Sequence, residues 1–183
     1  MEVIRATKEN GMIDLSGLTK AHLKALLKLH FAVDDKCIEL IDACVGSVMD
    51  SGGANIPQLE LDLLAETMMQ REVTTAAIIR CAMAGTYEPL ASVAGSISFG
   101  AGVAFDVDEM SEDQLAGLLT VERQLCAIRC TATIELGERL KAGKEPASQL
   151  FAEWSRVQND LSEGATREIY RVCNGGVRKN PLN

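Results

Sequence analysis

Apolar residues recur every three or four positions through most of this chain, and glycines and prolines fall between the periodic stretches. That spacing is the signature of helices with one buried face, because side chains three and four apart share a side of an α-helix. No convincing period-2 run marks a strand. The pattern predicts an all-α chain, and the breakers divide it into segments.

Residues 19–31 place Leu23, Leu26, Leu27 and Phe31 on one face, with Thr19 as N-cap. A second helix is expected from an Asp34 cap through Cys37, Ile38, Ile41, Cys44, Val45 and Val48 to Asp50, where Ser51-Gly52-Gly53 breaks it. Pro57 suits the first turn of a helix running to about Ala84, with Gly85 as its stop. Its apolar positions Leu59, Leu63, Leu64, Met68, Val73, Ala77, Ile78 and Met83 wrap beyond one face, so much of it is expected to be buried.

Ser111 and Gln114 form a capping box that opens a helix to about Lys141, closed by Gly143. Leu118, Val121, Leu125, Ile128 and Ala132 carry its stripe. Pro146 starts the last helix, with Leu150, Trp154, Val157, Leu161, Ile169 and Val172 on one face. Asn174-Gly175-Gly176 ends it.

Between Glu88 and Asp106 lie seventeen residues without a charge, PLASVAGSISFGAGVAF. A membrane span needs roughly 20 predominantly apolar residues. This stretch is shorter, is diluted by serines, and has acids on both flanks, so membrane insertion is disfavoured. A buried central helix is expected instead. Ala91/Gly95, Ser96/Gly100 and Gly100/Ala104 are small pairs four apart that would let neighbouring helices approach closely.

The expected architecture is therefore one helical domain over 1–183, a bundle of five or six helices around that small-residue helix. Residues 1–18 read as an N-terminal extension and 174–183 as a C-terminal tail.

The formal net charge of −8 is unevenly spread. Residues 32–70 carry −7 and 106–122 carry −6, while 1–31 carry +2 and 123–183 carry +3. Segregated charge favours docking of complementary surfaces. Lys20, Lys24 and Lys28, at successive four-residue steps opposite the leucine face, form a candidate interaction surface for an acidic partner. The same stripe could meet phosphates. The acidic balance and 4% aromatic content leave nucleic acid an alternative that is not favoured.

Signatures of catalysis are absent. His22 and His30 lie eight apart on one helix, roughly 80° apart around its axis, and neither stands in a Glu-x-x-His or H-E-x-x-H motif. Gly137…Gly143-Lys144-Glu145 has the wrong spacing for a phosphate loop, and Glu145 stands where a hydroxyl is needed. No G-x-S-x-G occurs. The carboxylates Glu60, Asp62 and Glu66, and Asp106 and Asp108, read as solvated faces.

Cys37, Cys44, Cys126 and Cys130 could converge as thiolate ligands only if their helices touch. They lack a C-x₂-C knuckle, and each also completes an apolar stripe, so core packing is expected. All six cysteines lie in apolar patterns and no secretory leader is evident, which points to a reducing, cytoplasmic setting.

The functional expectation is a non-enzymatic interaction protein: an assembly subunit, adaptor or regulatory partner without a cofactor. Stripes on 57–84 and 114–141 wider than one bundle requires suggest self-association. The alternatives are a DNA-binding regulator using residues 19–31 and a cofactor-binding bundle.

Overall fold

The computed structural model describes residues 14–89, 96–99 and 103–174. It contains four helices, α1 (Lys20–Asp50), α2 (Gln58–Met83), α3 (Glu112–Ala142) and α4 (Ala147–Cys173). A short antiparallel ladder, β1 (Ser96–Phe99) and β2 (Val103–Asp106), lies in the α2–α3 connection.

Four helices replace the expected five or six for two reasons. First, 19–31 and 34–50 are one continuous helix of 31 residues. Asp34 is not a cap: its carboxylate pairs with Arg71 from α2, so a tertiary partner explains the polar residue there. No glycine or proline separates the two stretches. Second, no helix occupies 96–99 or 103–106. Ser96 sits in β1 and Ala104 in β2, in the register Ser96↔Asp106 and Ser98↔Ala104. The helical close-packing expected of Ser96 and Ala104 is therefore corrected. Ser-Ile-Ser-Phe alternates with the period of a strand, and β-branched and aromatic residues favour that state. Ala91, Gly95 and Gly100 lie outside the described residues.

The caps follow local chemistry. Thr19 Oγ1 accepts the His22 N–H at 3.3 Å, and His22 Nδ1 accepts the Thr19 N–H at 3.2 Å, a capping box with histidine in the returning position. Ser111 and Gln114 form the expected box on α3. Gly143 closes α3 at φ +61°, a left-handed conformation that glycine enters without steric cost.

The helices run up-down-up-down. One apolar cluster joins Leu23, Leu26 and Leu27 at the start of α1 to Ile79 at the end of α2, Leu115, Leu118 and Leu119 at the start of α3, and Ile169 late in α4. A second joins Leu40, Cys44, Leu64, Met68, Leu136, Leu150 and Trp154 at the opposite ends. Short connections after α1 and α3 turn the chain back on itself, and the longer α2–α3 connection carries the β1–β2 ladder. Ion pairs fasten the seams: Arg123 to Glu72 at 2.8 Å between α3 and α2, and Arg139 to Glu153 at 3.1 Å between α3 and α4. Gln114 Nε2 donates to the Cys173 carbonyl at 2.8 Å, tying the start of α3 to the end of α4.

Candidate functional site

Between the two apolar clusters lies a layer of buried polar side chains. His30 and the half-buried Asp34 come from α1, Arg71 and Thr75 from α2, and Glu122 from α3. The Arg71 guanidinium is 2% exposed and pairs with Asp34, and its Nη1 also donates to the His30 carbonyl at 3.3 Å. His30 Nε2 meets Thr75 Oγ1 at 3.0 Å. Burial, then the positive charges of Arg71 and Arg123, push His30 down to about 3, so the imidazole is neutral. Burial pushes Glu122 far up, and a hydrogen bond with the Asp34 carboxylate raises it further against the pull of Arg71 and Arg129. Glu122 is thus held towards its neutral acid form.

Sequence reasoning missed this layer, although a signal was present. Arg71 and Thr75 continue the inward row Leu64–Met68, and Glu122 interrupts Leu115, Leu118, Leu119 and Leu125. A polar residue on an apolar stripe marks a position that needs a partner across the bundle.

Cys37, Cys44 and Cys126 share the second apolar cluster, with Cys130 packed against it. Burial pushes the Cys37 and Cys44 thiols up to about 11 and Cys126 up to about 12. Protonated thiols are poor ligands and poor nucleophiles. Among the described residues no group of three or more His, Cys, Asp or Glu side chains is arranged to hold a metal.

Two members of the lysine stripe are engaged within the chain. Lys24 pairs with Asp108, and Lys20 Nζ donates to the Asp108 carbonyl at 2.8 Å. They hold the turn after β2 against α1. Lys28 is exposed. His22 Nε2 meets the Tyr87 carbonyl at 3.0 Å, so this histidine also fastens the α2–α3 connection to α1.

The outer face of α2 departs from expectation in the other direction. Leu64 and Met68 are buried, but Leu59 is 78% exposed, Leu63 44%, Met69 46% and Val73 51%. These four lie within an arc of about 120° on the side of α2 turned away from the bundle. The breadth of the stripe therefore reflects a second, outward apolar face rather than burial all round. Met83 is exposed as well. Elsewhere, a groove of about 420 Å³ between the end of α1 and the start of α4 is lined by Val45, Met49, Gly53, Ser148, Phe151 and Ala152, among others.

Comparison with protein-family models, with curated proteins and with solved structures finds no match for this chain. Among the described residues no helix is long and apolar enough to cross a membrane.

Proposed function

We propose that this chain is a self-associating helical interaction protein, an assembly or regulatory subunit rather than an enzyme. The outward face of α2 carries the reading. Leu59, Leu63, Met69 and Val73 expose apolar surface on one side of one helix, whereas exposed apolar residues elsewhere are more scattered. Asp62, Glu66 and Gln70 are exposed between Leu59 and Val73, and exposed apolar side chains rimmed by polar ones mark interaction sites. The buried layer supports the same reading. Its groups are linked across the helices through the Arg71–Asp34 pair and the His30–Thr75 contact, although His30 Nδ1 and Arg71 Nε have no partner among the described residues, and such a layer suits a device that sets helix register. A reducing, cytoplasmic setting fits six unpaired cysteines.

Light scattering across a concentration series tests the proposal. The mass is expected to rise from 19.7 kDa towards twice that value, and a constant 19.7 kDa would refute it.

The DNA-binding alternative loses ground, because Lys20 and Lys24 are spent on Asp108. A cofactor-binding bundle retains one specific support. Trp154 Nε1, both polar atoms of the Gln158 amide and Arg129 Nε are buried without a hydrogen-bond partner among the described residues. Such atoms call for a partner. Native mass spectrometry would support this second reading by showing a small molecule of constant mass that is lost in Gln158→Leu. An unliganded mass in protein from its own host would remove it.

A further inference from the structure

The exposed face of α2 is patterned along its length as well as across it. Glu66 lies towards its first half and Arg80 in its last turn, both exposed. Among the described residues neither side chain has an ion-pair partner. Val73 stands midway between them in sequence. Ala76 and Ala77 follow it, small side chains that let a second helix approach closely.

From this arrangement we infer that the occupant of the α2 face is a second copy of the same face, crossing antiparallel with Val73 on the two-fold axis. The inference rests on the self-association reading and adds the surface and its register.

The register follows from symmetry. In a two-fold contact, each residue before the axis meets one equally far beyond it on the second copy. Centred on Val73, Met69 meets Ala77 and Glu66 meets Arg80. Val73 and Met69 therefore meet apolar side chains. The two otherwise unpaired charges neutralise each other twice, once on each side of the axis. A parallel crossing would set Glu66 against Glu66 and Arg80 against Arg80, and like charges facing each other oppose association. The antiparallel choice is thus set by the two charges. The flanking charges do not compete: Asp62 faces Lys141 and Glu72 holds Arg123 within the same chain. One helix crossing lies at the small end of specific interfaces, so an affinity in the micromolar range is expected.

Sedimentation equilibrium of four full-length proteins tests the register: the wild type, Glu66→Arg, Arg80→Glu, and the double exchange. Both positions are exposed, so folding should survive, and far-UV circular dichroism melts verify it. The wild type should dimerise. Each single exchange should weaken dimerisation by about tenfold, because two ion pairs become two repulsions. The double exchange should restore it to near the wild-type value. A wild-type dimer that neither single exchange weakens, or that the double exchange leaves weak, would overturn the register while leaving self-association standing. A wild type that stays monomeric at every concentration would overturn self-association itself, and the register with it.

Discussion

Arg71 and Val73 stand two residues apart on α2 and invert the usual placement of charge and hydrocarbon. The guanidinium is 2% exposed at the centre of the bundle, and the valine is 51% exposed on its outside. Two positions along a helix turn the side chain by about 200°, so the two residues look in opposite directions. The difference teaches what each face is for. A buried charge is tolerated only with partners, and Arg71 has Asp34, the His30 carbonyl and a hydroxyl-capped histidine beside it. An exposed valine within an apolar stripe contributes little to folding and is available for association.

Breaking the inner face should have the largest effect. Arg71→Met leaves the Asp34 carboxylate without its cation, and a loss of about 3–5 kcal/mol is expected in urea unfolding. Adding Asp34→Leu to that variant should recover part of the loss, since the orphaned charge is then gone. If Arg71→Met melted like the wild type, the layer would have no structural role.

The protons of the layer set the next effect. Glu122 is raised in the folded chain, so folding takes up a proton at pH values above the ordinary carboxylate range. Its contribution is fully present at low pH and is lost as pH rises through the folded value. Glu122→Gln keeps a neutral hydrogen-bonding side chain, so it should flatten the fall in stability on the alkaline side. His30 acts at the other end. It is lowered from 6.5 to about 3, so its contribution is present above 6.5 and is lost as pH falls towards 3. Melting temperatures from pH 4 to 9 would show both limbs in the wild type; an unchanged alkaline limb in Glu122→Gln would mean that Glu122 is ionised in the bundle.

A smaller change is expected at the bundle end. Lys24 is partly exposed and Asp108 more so, so Lys24→Ala should cost no more than about 1 kcal/mol. A larger loss would mean that the α2–α3 connection carries more of the fold than its ion pair shows.

Much of the fold was legible in the residues. Thr19, Ser111, Gly85, Gly143, Pro57 and Pro146 mark helix ends within a residue or two of where they occur, because caps and stops act locally. What local reasoning misread depends on partners far along the chain. Asp34 resembles a cap until Arg71, 37 residues later, is seen to neutralise it. The segment of Ser96 and Ala104 resembles a small-residue helix because glycine and serine spacing says little about which state they pack in. At Leu59, Leu63 and Val73, periodicity reports that a face is apolar and is silent on what covers it. The breadth of the stripe, read as a sign of self-association, was the most informative clue to the proposed surface. The lysines were the least informative, since the two that touch Asp108 look identical in sequence to the one that does not.

The claim that the inner face of α2 builds the fold and the outer face serves association is tested most directly by Val73→Lys, measured by sedimentation and thermal melting on the same samples. The account predicts an unchanged melting temperature at low concentration and a mass held at 19.7 kDa where the wild type has moved towards a dimer. A lowered melting temperature at low concentration, or a variant that associates as the wild type does, would contradict it.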